Sequence, residues 1–146
     1  MTDTNMLRSR ATEVRRYLER GRAGSRLDVL RRFPVGCCKP ASLLLMQWLR
    51  DQEGLQGIVG VANAERVRSP KLNDESVHFW LEIDGWIVDI TADQFGEGMD
   101  PVYVSRDRTW HDTFSEGCRF TQSDLVPRDE DHLAEYELMR NALLSD

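Results

Sequence analysis

The sequence predicts an α+β fold, and three observations carry that prediction. Residues 40–50 are apolar nearly all round a helix, two strand-like runs flank Asp84-Gly85, and helical periodicity marks both ends of the chain. The 146 residues fit one domain, 1–146, without internal repeats or low-complexity tracts. Within it a basic helical region covers 1–32, the core motifs 33–95, and a closing helix 129–146.

Each element has a local reason. Leu7, Ala11, Val14 and Leu18 recur at spacings of 4, 3 and 4 between Thr4 and Arg20, an amphipathic stripe that Gly21 stops. A further short helical turn is expected within Arg22–Arg32. Phe33-Pro34-Val35-Gly36 is read as extended or turning, because proline biases the residue before it away from the helical region. Pro40 to Arg50 carries Ala41, Leu43, Leu44, Leu45, Met46, Trp48 and Leu49, the pattern of a buried helix ended by Gly54. Gly57–Ala62 reads as a short strand and Arg66–Ser76 as a polar loop. Val77–Ile83 and Trp86–Thr91 form a hairpin around Asp84-Gly85, the strongest short-range hairpin signal. Val102–Val104 and Gly117–Thr121 add strands. From Asp131, Leu133, Tyr136, Met139 and Leu143 predict the last helix.

The composition, 40% hydrophobic and 30% charged with a mean hydropathy of -0.51, excludes disorder and a membrane-spanning architecture. The net charge of -6 is uneven: residues 1–36 hold nine arginines against four acidic residues, so the rest of the chain carries -11. A nucleic-acid arm is disfavoured, because no aromatic-basic interleaving accompanies the arginines and the pI is near 5.1. A solvated helix face accounts for them. The first residues lack the order of a signal peptide, so a cytoplasmic location is expected, with export by a specialised machine left open. Three cysteines in such a chain make no disulfide framework, and adjacent Cys37 and Cys38 lack zinc-ligand spacing.

The hairpin fixes a side-chain constellation. With a two-residue turn, Ile83 faces Trp86, Trp80 faces Asp89 and His78 faces Thr91. Phe79, Leu81, Ile83, Trp86, Val88 and Ile90 then form one apolar face, and His78, Trp80, Glu82, Ile87, Asp89 and Thr91 the other. His78 and Asp89 are diagonal neighbours about 7–8 Å apart by backbone, close enough for their side chains to meet. A carboxylate there fixes the imidazole tautomer. Cys38 stands at the start of the buried helix, where free backbone N–H groups and the positive end of the dipole favour a thiolate. Its own N–H is placed to bind an oxyanion. Taken singly, the three residues read as a core thiol, a satisfied histidine and a strand-end aspartate; taken together they read as a Cys38-His78-Asp89 triad.

Gly36-Cys37-Cys38-Lys39-Pro40-Ala41-Ser42 resembles the papain-type nucleophile segment, with glycine two before the cysteine and serine four after it. His78 to Asp89 is similar to the transglutaminase-like branch, where histidine and aspartate occupy neighbouring strands. Over residues 33–95 the chain thus resembles small bacterial members of the transglutaminase-like, papain-like cysteine peptidase superfamily. The resemblance implies a papain/transglutaminase-like core, with the helix packed on a small antiparallel sheet. It implies Cys38 as nucleophile, His78 as general base and acid and Asp89 as orienting residue, with no metal or organic cofactor. The substrate class it implies is a peptide or protein amide, processed by hydrolysis, deamidation or amine transfer.

Departures are visible. No glutamine precedes the cysteine, so Gln94 is the candidate oxyanion donor and Trp80 a candidate site-lining residue. Cys37 is the rival thiol. Lys39 either favours the thiolate or points to solvent, His111 and Asp112 read as an exposed pair, and His132 reads as surface. The Arg66–Ser76 loop and Gly96–Asp100 are the expected cleft rims. The rival functions are an inactive fold serving as a protein-interaction module and an effector or toxin domain modifying a target protein. Oligomeric state is not legible.

Overall fold

A computed structural model of the protein describes residues 2–21, 30–31, 33–63, 78–114, 117–121 and 130–145. The expected apolar stripe builds the first helix, α1 (Thr4–Gly21), with Leu7, Ala11, Val14 and Leu18 all buried. The second, α2 (Cys38–Glu53), is longer at both ends than its apolar run. Pro40 lies in its first turn, where a missing N–H costs nothing. Gly54 closes the helix at φ 60°, its N–H bonding the Arg50 carbonyl at 2.9 Å, a left-handed cap that glycine adopts without steric cost. Ala41, Leu44, Leu45, Met46, Trp48 and Leu49 are buried, as an apolar helix requires.

Among the described residues five antiparallel strands follow: β1 (Val59–Asn63), β2 (His78–Ile83), β3 (Trp86–Asp89), β4 (Tyr103–Ser105) and β5 (Cys118–Phe120), in the order β4-β3-β2-β1-β5. Asp84 and Gly85 both take positive φ, 50° and 81°, as a type I′ hairpin demands. The pairs Leu81–Val88, Glu82–Ile87 and Ile83–Trp86 are those the two-residue turn predicts. The ladder ends at Asp89, earlier than expected, because Thr91 donates its N–H to Asp89 Oδ1 at 3.0 Å and the chain turns away. A 3-10 turn, Ala92–Phe95, comes next. The last helix, α3 (Glu130–Ser145), buries Tyr136 and Met139, while Leu133 stays half exposed and His132 and Glu135 go inward instead.

α1 and α2 pack on one sheet face, α3 packs on those two helices, and together they complete the main core with Phe79, Leu81, Ile83, Val88 and Ile90. The other face carries a smaller cluster, Val61, Trp80, Ile87 and Phe114, flanked by Phe95, Tyr103 and Trp110. Alternation along β2 and β3 therefore feeds two apolar layers, with β2 buried along its whole length. Buried Arg15 on α1 ties the layers to the chain after β3, meeting both Asp93 carboxylate oxygens at 2.7 and 2.8 Å and the Ile90 carbonyl at 2.8 Å. The expected turn at Arg22–Arg32 lies largely outside the described residues, as does the Arg66–Ser76 loop. Gly96–Asp100 is mostly exposed, as a rim would be. Among the described residues no helix is long and apolar enough to cross a membrane.

Candidate active site

The site forms where the N-terminus of α2 meets the start of β2 and the end of β3. Cys37 caps α2 by its backbone, accepting the Ala41 N–H at 3.0 Å, and its side chain is buried in the main core. Cys38 opens the helix and remains partly accessible, whereas Lys39 points to solvent. Ser42, one turn on, donates to the Phe79 carbonyl at 3.4 Å and so fastens the helix start beside His78.

His78 and Asp89 are both fully buried, with His78 Nε2 2.6 Å from Asp89 Oδ2. The carboxylate only accepts, so Nε2 carries the proton and Nδ1 faces the remaining partners. One is Cys38, whose hydrogen bond and charge act on the imidazole. The other neighbour is Gln94, its Nε2 3.5 Å from Nδ1, an amide donor that bonds the ring only while Nδ1 is unprotonated. Gln94 Oε1 accepts the Gly36 N–H at 3.0 Å, which fixes the amide's orientation and turns its NH2 toward the site.

Burial is the largest influence on His78 and lowers its pKa. The Asp89 charge and hydrogen bond, with those of Cys38, overcome it and raise the group to about 9. Burial likewise opposes ionisation of Asp89, yet the His78 charge and the hydrogen bonds from His111 and His78 hold it well below the usual carboxylate range. The pair is thus charged at neutral pH.

Trp80 does not reach the thiol side of the site through a polar contact. It lies 5.4 Å from His78 by ring centroids and donates Nε1 to Glu82 at 3.0 Å. Phe95, Trp110 and Phe114 complete an aromatic wall around His78, which excludes water from the imidazole. Glu82 is held below its normal pKa against the effect of burial by Arg108, Trp80 and Arg119.

Two expectations are corrected. His111 is not an exposed partner of Asp112: it is buried, and its Nε2 is 2.8 Å from Asp89 Oδ2. The 3-10 turn His111–Thr113 folds over the outer sheet face because Trp110 and Phe114 need cover, and this carries the imidazole inward. Nothing local in the sequence marks that contact across 22 residues; the flanking aromatics are the available cue. His132 is also buried rather than on the surface, bonding Gln47 at 3.2 Å between α3 and α2.

His78, Asp89 and His111 are the set among the described residues whose donor atoms lie close enough, within 4.8 Å, to hold a metal ion. Both imidazoles would first have to surrender the Nε2 protons they give to Asp89. No protein-family model, curated protein or solved structure matches the chain.

Proposed function

We propose that the protein is a thiol-dependent acyl-transfer enzyme built on a papain/transglutaminase-like core. The observation that carries this reading is the placement of His78, bonded through Nε2 to a buried carboxylate while its other face meets Cys38 at a helix start. An imidazole so held has one nitrogen fixed and the other free to exchange a proton with sulfur.

The Cys38 thiolate, its proton already held on His78, forms a bond from Sγ to the amide carbon of a peptide or protein substrate. The C–N bond breaks as His78 gives that proton to the leaving amine. Water, activated by the same imidazole, adds to the thioester and releases the acid; an amine acceptor gives transfer instead. Gln94 Nε2 and the Cys38 backbone N–H are the donors proposed for the oxyanion, the former because Gly36 already orients the amide. No step calls for a metal or organic cofactor.

The pH dependence of alkylation at each cysteine, read by peptide mass spectrometry, tests this. Cys118 is exposed and serves as the reference thiol, and Cys37 is buried. Cys38 is expected to react below pH 8, ahead of both, and His78→Ala or Asp89→Ala should move its profile to that of Cys118. If Cys38 follows Cys118 in the folded wild type, or ignores His78→Ala, the enzyme reading fails and the interaction module takes its place.

A further inference from the structure

Two imidazoles meet on one carboxylate oxygen. Asp89 Oδ2 accepts from His78 at 2.6 Å and from His111 at 2.8 Å, while Oδ1 takes the Thr91 N–H. Acyl transfer uses only the first imidazole. His111 is 1% exposed and walled by the rings of Trp80, Tyr103 and Trp110 at 4.8–4.9 Å. A phenylalanine would fill that space without carrying a polar group into an apolar layer.

We propose that His111 is a positioning residue that takes a share of the Asp89 charge, so that the carboxylate orients His78 through Nε2 without making the ring too basic to release its Nδ1 proton. The inference rests on the acyl-transfer reading of Cys38 and His78. A hydrogen bond donated to a carboxylate stabilises the anion and weakens its pull on other protons. His78 must give its proton to a leaving amine in each turnover, and a base paired too strongly does so slowly. His111 Nδ1 is buried and has no hydrogen-bond partner among the described residues, so nothing there competes for the proton that Nε2 shares with Asp89.

The charges around His111 leave this bond as its distinctive one. Asp89 and His78 face it from the sheet, and the Asp107 carboxylate is near enough to interact with it electrostatically. His111 also lines a cavity of about 460 Å³ with Arg108, Asp112 and Arg119. There both arginines already pair with Glu82, at 3.1 and 2.7 Å, and Arg108 also pairs with Asp112.

The test is imidazole nitrogen and proton NMR on the full chain carrying Cys38→Ala, which frees His78 from the thiol. In that chain His111 should be protonated at Nε2 at neutral pH. Adding His111→Phe, which keeps a ring but loses the donor, should raise the His78 titration midpoint by roughly half to one pH unit. Adding His111→Gln, whose amide nitrogen reaches the place of Nε2, should return it. An unprotonated Nε2 on His111, or a midpoint that is unmoved or lowered in His111→Phe, overturns the inference. Should the phenylalanine variant not fold, the Nε2 protonation and a comparison of His111→Gln with the shorter His111→Asn decide in its place, only asparagine raising the midpoint. Failure of Cys38 alkylation to respond to His78→Ala would overturn the acyl-transfer reading and with it this role. An unmoved midpoint with Cys38 still governed by His78 removes His111 alone.

Discussion

Asp89 accepts three hydrogen bonds in full burial, from Thr91, His78 and His111, and few single atoms of the site matter more. Asp89→Asn keeps the size and the Thr91 contact but loses the charge that holds His78 protonated. Its alkylation of Cys38 at pH 7 should fall about tenfold or more, since a hydrogen bond to a charged group is worth ~1.5–3 kcal/mol. Equal alkylation rates in the two proteins would remove Asp89 from the site. Glu82, paired to Arg108, Arg119 and Trp80, is structural on the same face, and Glu82→Gln should cost about 1–3 kcal/mol in urea unfolding with Cys38 reactivity unchanged. At this scale His78 and Asp89 were legible because strand alternation and a two-residue turn put them on one face. Gln94 was half legible: its neighbourhood was, but the Gly36 bond that orients it joins residues 58 apart. His111 was not legible, since a polar residue between aromatics looks exposed until the sheet face they cover is known.

The elements hold the site by three attachments. α2 is anchored through its buried face, so Leu45→Ala should cost about 2–5 kcal/mol by loss of burial plus the cavity left behind, measured by chemical denaturation. A cost below 1 kcal/mol would mean that the helix is not packed as described. The hairpin is anchored by its turn. Gly85→Ala combines a positive φ with a Cβ 2.9 Å from the Arg106 guanidinium, and should cost about 1–2 kcal/mol, most of it from the backbone because Arg106 is a flexible side chain. α1 is anchored by Arg15, whose planar fork meets both Asp93 oxygens; Arg15→Lys cannot reproduce that geometry, and should lose most of the stability lost by Arg15→Ala. Stability restored by lysine would show that charge alone suffices. Sequence periodicity found every one of these elements, yet it placed their ends less well. β3 stops early because the Asp89 side chain competes for a backbone N–H, whereas α2 starts at Cys38 as expected, Cys37 capping it with its carbonyl alone.

Across the whole molecule the buried ion pair ties stability to pH. His78 titrates above its unfolded value of 6.5, at about 9, so its contribution is full below about pH 6.5 and is lost as pH rises through 9. Asp89 titrates below its unfolded value of 3.8, so its contribution is present above that pH and is lost as pH falls further. Wild type should therefore exceed Asp89→Asn by about 3 kcal/mol between roughly pH 5 and 7, a gap that narrows toward pH 10 and again toward pH 3. Thermal unfolding of both proteins across that range measures it. A gap independent of pH would show that the pair is not charged in the folded state.

The sequence by itself determined the helices, the hairpin and its register, the two faces of β2 and β3, and the presence of a cysteine at a helix start. Those features depend on residues close in the chain, where the periods of helix and strand and the chemistry of one turn suffice. Only the tertiary structure decided the order of the strands, the second apolar layer on the outer sheet face, and what that layer brings to Asp89. A contact between His111 and a carboxylate 22 residues earlier arises from which surfaces need cover, and that need exists only once the sheet has formed.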